Sequence, residues 1–211
     1  MLWNMLSPVT WALLAVLLWA IIFLAIFSRR ARRQNDEAAR KFLHEEEVAN
    51  RVKKRPLEDE LFYTPELDKL PPLPEGDPQQ VQRAASRKMI RFNEPMTNVE
   101  IKLRYGRHQL EQLAHYEENY FDYLRILTKW GEALLKDNKK ADAARILEHA
   151  VALGSEFRRS YKFLADIYAG NNDPVKLEEL LAKAEFKKFR DPAVAQHIMA
   201  YIREKQAEVR A

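Results

Sequence analysis

A run of nineteen residues without a charged side chain, from Val9 to Phe27, constrains this chain more than any other feature. As an α-helix rising ~1.5 Å per residue it would extend roughly 28 Å, about the thickness of a bilayer's hydrocarbon core. A buried core helix and a cleaved signal peptide are the alternatives. The second lacks the basic start and the small-residue cleavage site that such peptides carry. The sequence therefore predicts a single-pass membrane anchor over residues 1–28.

The residues after this run predict its orientation. Four arginines follow it closely: Arg29, Arg30, Arg32 and Arg33. Basic flanks remain on the cytoplasmic side of a membrane span, so we expect the N-terminus outside the cell membrane and the rest of the chain in the cytoplasm. The same four side chains are candidates for contact with anionic lipid headgroups. The simpler alternative is a stop-transfer flank followed by a solvated helix.

The positive charge of the chain is concentrated beside the predicted span. Residues 29–55 hold ten Lys or Arg against five Asp or Glu, and we predict a basic juxtamembrane helix there. Residues 56–211 hold 25 basic and 26 acidic residues, so they are nearly neutral. The formal net charge of +4 therefore comes from the segment beside the predicted span. Because no aromatic residues alternate with the basic ones, we expect no nucleic-acid partner.

Proline changes the composition after the basic segment. Six of the ten prolines lie between residues 56 and 80, and proline fixes φ and removes a backbone donor. The composition favours an extended, Pro-rich linker over residues 56–97, with a short basic helix over Val81–Phe92. The alternative is that two apolar motifs, Leu61–Tyr63 and Leu70–Pro74, dock into a groove of this chain or of a partner.

Residues 98–211 show helical periodicity. Asn98 is a candidate N-cap, although the alternation over Val99–Tyr105 leaves a short strand open, and Gly106 marks a break. Beyond it, large apolar residues recur at spacings of three, four and seven, which indicates an amphipathic helix: Leu110, Leu113, Tyr120, Leu124, Leu127 and Leu134. We expect residues 103–119 to form an imperfect helix that precedes the rest of the domain.

A 34-residue period runs through the second half of this segment. Trp130–Leu134 aligns with Leu164–Tyr168, and Ala150 aligns with Ala184 at the same offset. Each copy reads as a helix, a short polar turn and a second helix. The fold class that follows is all-α, with helical hairpins that bury their apolar faces against one another.

The period and its anchor residues resemble the tetratricopeptide repeat. On this resemblance, two motifs occupy residues 124–157 and 158–191, and a capping helix follows over 192–209. Leu177 stands where the family has a small residue, and the first motif lacks the closing proline. The resemblance implies a helical stack that binds a peptide or helix of another protein on a concave face built by the first helix of each repeat.

The resemblance also indicates which residues line that face. The positions correspond to Arg125, Thr128, Lys129, Glu132, Arg159, Lys162, Phe163 and Asp166. Four of these are basic, so an acidic or carboxylate ligand is compatible with the groove. However, Glu132 and Asp166 stand where family members that clamp carboxylate tails have asparagine, which argues against that mode. A solvated charged face is the alternative.

No residue pattern in the chain points to catalysis. There is no cysteine, the five histidines are scattered, and no nucleophile elbow, phosphate loop or dinucleotide fingerprint is present. We expect no enzyme, no metal, no cofactor and no small-molecule substrate. The function that follows is a membrane-anchored adaptor for another protein or peptide. The alternative is a structural subunit or assembly factor of a membrane protein complex.

Overall fold

A computed structural model describes residues 8–57, 59–72, 78–92 and 94–210, without the side chains of residues 8–10, 12–16, 31, 34 and 60. Residues 8–52 form one compact unit, and the described residues from Lys53 onward form another. The regular elements, in chain order, are α1 (Pro8–Asn50), β1 (Phe62–Tyr63), α2 (Pro78–Ala85), β2 (Met89–Ile90), α3 (Asn98–Tyr105), α4 (Leu110–Lys136), α5 (Lys140–Ala152), α6 (Arg158–Gly170), α7 (Pro174–Phe186) and α8 (Pro192–Arg210). The prediction of an all-α fold is confirmed, apart from one pair of two-residue strands.

The first unit is a single helix. α1 continues for 43 residues through the uncharged run and the basic segment without a break. Large apolar side chains between Leu17 and Phe27 are 45–72% exposed, with Trp19 the most exposed. Among the residues described, no helix is both long enough and apolar enough to cross a bilayer. Part of the predicted span lies outside the residues that the structure describes. This part comprises residues 1–7 and the side chains of residues 8–10 and 12–16.

The second unit contains repeated helical hairpins, and the prediction of repeated helices is confirmed. The first hairpin consists of α4 and α5, and the second consists of α6 and α7. Helix α7 begins and ends one 34-residue period after α5. Helix α6 likewise ends one period after α4. The turn within each hairpin has a residue in the left-handed region at the equivalent position, Asn138 at φ 58° and Asn172 at φ 54°. Helix α8 begins at Pro192, one period after the start of α6 at Arg158, so it occupies the place of a third first helix.

Small residues allow the paired helices to approach closely. A β-carbon added at Gly131 of α4 would lie 2.6 Å from Leu147 Cγ of α5, closer than carbon atoms approach without displacement. Ala165, one period later, is fully buried. Trp130 and Leu164 fill the adjacent space and are 2% and 0% exposed. The repeated pattern therefore marks the core positions of two hairpins.

The region before the first hairpin differs from the sequence-based expectation. Residues 98–105 form a helix, not a strand, because Thr97 is the N-cap and forms a capping box with Glu100. Gly106, at φ 92°, ends α3. No separate helix covers residues 103–119. Instead α4 begins at Leu110 and runs for 27 residues, so that its first half extends beyond the repeat.

The prediction of an extended linker over residues 56–97 is wrong for residues 59–72 and 78–92, while residues 58, 73–77 and 93 lie outside the described part of the chain. β1 pairs antiparallel with β2, with Phe62 opposite Ile90 and Tyr63 opposite Met89. The Tyr63 ring lies 5.4 Å from that of Tyr120. Proline prevents a long helix here, but it does not prevent the apolar residues between the prolines from packing. We call residues 53–57 and 59–72 the strap, because their apolar side chains pack on those of α3 and α4.

The short basic helix predicted over Val81–Phe92 also needs correction. α2 ends at Ala85, and the chain then extends into β2. Val81 and Ala84 are 2% exposed and join the core of the hairpins. Met89 and Ile90 are buried too, because β2 pairs with the distant strand β1, and a local sequence pattern does not reveal such a pairing.

Candidate functional site

One of the residues predicted to line the binding groove, Thr128, is too buried to contact a ligand. Thr128 is 5% exposed and lies between α4 and α6, where its hydroxyl is 2.8 Å from the hydroxyl of Ser160. It also donates to the carbonyl of Leu124 at 3.0 Å. Thr128 therefore joins two helices, and its assignment to the groove is corrected. Lys129, the next residue on the helix, is exposed.

Several of the other predicted groove residues link neighbouring first helices. Arg159 Nη1 on α6 lies 3.4 Å from Glu132 Oε2 on α4. Tyr201 on α8 donates from its hydroxyl to Asp166 Oδ1 at 2.6 Å. The structure thus brings these residues onto one face of α4, α6 and α8. Their acidic groups lie next to basic or hydroxyl partners, so the face has mixed charge.

The remaining predicted groove residues lie at the edges of the same face. Lys162 Nζ is 5.0 Å from the centre of the Tyr201 ring, a cation–π contact. Phe163 is half-buried and packs against the main core. Arg125 pairs with Asp122, one turn earlier on α4. This face has few exposed apolar side chains with which to hold a ligand.

The four arginines predicted to contact lipid lie on α1. Arg29, Arg30, Arg32 and Arg33 all have exposed side chains. They occupy just over one turn of the helix, directly after the large apolar side chains that end at Phe27. Their arrangement places four guanidinium groups at one level along the helix axis.

A different site emerges on the second unit, a cleft of about 750 Å³. Its walls are the segment after β2, the first half of α4, the turn between α5 and α6, and the end of α7. We call it the α4–α7 cleft. Its apolar lining comprises Ile90, Phe92, Pro95, Tyr120, Phe121, Val151, Ala152, Leu153, Tyr161, Ala182 and Phe186. Phe186 is 89% exposed, the highest value among the large apolar side chains described.

Ion pairs hold the base of this cleft together. Arg190 Nη2 lies 2.5 Å from a carboxylate oxygen of Glu117, and its guanidinium covers the Phe121 ring at 4.3 Å. The backbone N–H of Arg190 donates to Glu156 at 3.1 Å, and Lys187 Nζ lies 3.4 Å from the same carboxylate. The segment after α7 is thereby fixed against α4 and against the turn before α6.

Two tyrosines of the cleft wall are locked by hydrogen bonds. Tyr120 donates to the carbonyl of Leu153 at 2.6 Å, and Tyr161 donates to the carbonyl of Ser155 at 3.1 Å. Burial raises the pKa of both phenols far above the ordinary value of 10.0. They are therefore neutral at physiological pH and serve as rigid walls.

The chemistry of the α4–α7 cleft suits binding. In the described part of the chain, no cluster of three His, Asp or Glu side chains is placed to hold a metal ion. The absence of catalysis stays a prediction. Sequence reasoning missed this cleft because its residues come from four separate segments. The mixture of aromatic and basic residues over Phe186–Arg190, which begins at the last residue of α7, was the one local indication.

Comparison with known proteins yields no relative from which to assign a function. The chain matches no protein-family model, no curated protein and no solved structure. The repeated hairpins and the α4–α7 cleft are therefore interpreted from their own geometry.

Proposed function

We propose that this protein is an adaptor anchored by α1, and that its second unit, a stack of the tetratricopeptide type, holds another protein at the cytoplasmic face of the cell membrane. The observation that carries the proposal is the combination of an apolar helix with exposed side chains on all sides and a module of repeated hairpins. No catalytic arrangement competes with this interpretation in the described residues.

Membrane anchoring is supported by the side chains of α1. A helix on a protein surface in water is apolar on one face only, whereas a membrane span is apolar all round. From Leu17 to Phe27 every large side chain is apolar and at least 45% exposed. The four arginines that follow would then lie at the level of the lipid headgroups and hold the N-terminus outside.

Protein binding is supported by the repeat geometry. The two hairpins and α8 share one spacing of helix boundaries, and small residues lie where the paired helices cross. Both are features of tetratricopeptide stacks, whose typical role is to bind a peptide or helix. Leu177, fully buried, fills the space that the family leaves for a small residue, which is a departure in packing within the hairpin.

One observation favours the alternative, a structural subunit or assembly factor of a membrane complex. An adaptor gains reach from a flexible linker, but here the Pro-rich segment is the strap, packed on α3 and α4. Arg55 alone forms two hydrogen bonds there, donating from its N–H to Tyr105 at 3.1 Å and accepting from the Gln109 side chain. A short connection suits a subunit whose span contacts its partners in the membrane.

The topology can be tested with single cysteines, since the chain has none of its own. Asn4→Cys should react with a membrane-impermeant maleimide in intact cells. Asn138→Cys, in the turn between α4 and α5, should react only after the cells are opened. The reverse pattern, or recovery of the full chain in the fraction without membranes, refutes the anchored topology.

Exchange of the span separates the two functions. Residues 9–27 are replaced by an unrelated span of equal length, and partners are identified by crosslinking in cells and mass spectrometry. An adaptor keeps its partners after the exchange, because it binds them through the second unit. A subunit held by its span loses them, and that loss refutes the adaptor.

A further inference from the structure

We propose that the α4–α7 cleft binds an acidic peptide segment of a partner protein that carries one large apolar side chain. The inference rests on the proposed adaptor function and names the surface and the ligand chemistry. It differs from the groove predicted from the repeat, because it uses the first half of α4 and the end of α7.

The size and lining of the cleft fit a peptide side chain. A volume of about 750 Å³ lies within the range of ordinary ligand pockets, roughly 300–1,000 Å³. Its walls include two locked tyrosines and the rings of Phe92 and Phe121. Phe186 stands at the rim, exposed to solvent, and would be covered by a ligand that enters the cleft. Apolar surface surrounded by charged residues is typical of protein–protein contact sites.

The charges of the cleft favour an acidic ligand. Its basic residues are Arg91, Lys183, Lys187, Lys188 and Arg190, and its acidic residues are Glu94, Glu117, Glu156 and Glu179. Glu117 and Glu156 are only 16% and 20% exposed, because their basic partners lie over them. The carboxylate of Glu94 is held by Lys188 at 2.7 Å.

Three of the four acidic groups are therefore paired with Lys187, Lys188 and Arg190, and the cations that remain are Arg91 and Lys183. Both are exposed, Arg91 directly after β2 and Lys183 on α7, with the exposed Glu179 one turn from Lys183. When the ligand's apolar side chain fills the cleft, a carboxylate next to it in the peptide would lie near Arg91 or Lys183. A basic ligand would meet the same cations and be repelled.

The ligand is unidentified, so the experiment uses a phage-displayed library of random twelve-residue peptides. The full chain, reconstituted in lipid nanodiscs, is the target. Phe186→Ser removes the exposed ring, and Lys183→Glu reverses one cation. Val175→Ser is the matched control for the first, since Val175 is 64% exposed at the other end of α7. Lys129→Glu is the control for the second, since it lies on the predicted groove.

We expect the enriched peptides to contain Asp or Glu beside a large apolar residue. Synthetic peptides of these sequences should bind at least tenfold more weakly to Phe186→Ser and Lys183→Glu, and equally to both controls. All four substitutions are at exposed sites, and circular dichroism checks that each variant is folded.

Three results would overturn the inference. If no peptide is enriched above the Phe186→Ser background, or if the enriched peptides are basic, the α4–α7 cleft is not an acidic-peptide site. If peptides bind but only Lys129→Glu weakens them, the predicted groove is the binding surface; the cleft is then refuted and the adaptor stands. Failure of the adaptor itself is measured separately, by loss of partners when the span is exchanged.

Discussion

The contact between Gly131 and Leu147 allows the packing of the first hairpin to be tested quantitatively. At an exposed helical position, replacing glycine by alanine stabilises a protein by about 1 kcal/mol. Here the new β-carbon would lie 2.6 Å from Leu147 Cγ and 2.7 Å from its Cδ2, and Leu147 is fully buried. Overpacking of this kind costs about 1–3 kcal/mol. We therefore expect Gly131→Ala to lower the free energy of unfolding by about 1 kcal/mol.

Two further variants isolate the cause. Gly170→Ala is the matched control, because Gly170 ends α6 and a β-carbon there would meet nothing within 4 Å. It should be neutral or slightly stabilising. Leu147→Ala alone should cost about 2–5 kcal/mol through the cavity it leaves. In the Gly131→Ala background it should cost less, because the added methyl group occupies part of that cavity.

The measurement is urea unfolding of the detergent-solubilised full chain, followed by circular dichroism in the far ultraviolet. The expected coupling between the two substitutions is about 1–2 kcal/mol, within the range for residues in contact. A stabilising Gly131→Ala, or strict additivity with Leu147→Ala, would show that α4 and α5 do not cross as closely as described.

Three other perturbations have defined outcomes. Gly106→Ala should lower the melting temperature by several degrees, since φ is 92° and a β-carbon would lie 2.7 Å from the carbonyl oxygen of Lys53. Tyr201→Phe removes the hydrogen bond to Asp166 and should lower the urea midpoint by an amount that corresponds to about 0.5–1.5 kcal/mol. Burial lowers the pKa of His149, so the folded state disfavours its protonation, and stability should fall as pH drops below 6.5. In a pH series of urea unfolding, His149→Gln should flatten that decline, and an unchanged slope would contradict the assignment.

The sequence predicts the hairpins well because their information is local. Small residues at Gly131 and Ala165, and turns with a left-handed residue, recur at a fixed offset that can be read along the chain. Pro192 occupies the first turn of α8, where proline is favoured, and the start predicted for that helix coincides with its start in the structure.

The strap and the cleft could not be predicted in the same way. β1 and β2 are two residues each, too short for an alternating pattern to appear. Tyr63 is partly buried by Tyr120 and Tyr123, which lie far later in the chain. Composition correctly excludes a long helix where prolines are dense, but it does not predict whether the apolar residues between them pack against other helices. Only tertiary contacts decide that, and the same holds for the α4–α7 cleft.

The strap imposes an order on biosynthesis. Phe62 and Tyr63 leave the ribosome before the α4 residues against which their rings pack, Tyr116 at 6.2 Å and Tyr120 at 5.4 Å. At ~5–20 residues per second, the segment between them takes roughly 3–10 s to synthesise. During that interval the rings of Phe62 and Tyr63 lack the tyrosines of α4 against which they pack. A ribosome stalled before α4 should therefore present an unfolded, apolar nascent segment, the kind of segment that chaperones bind.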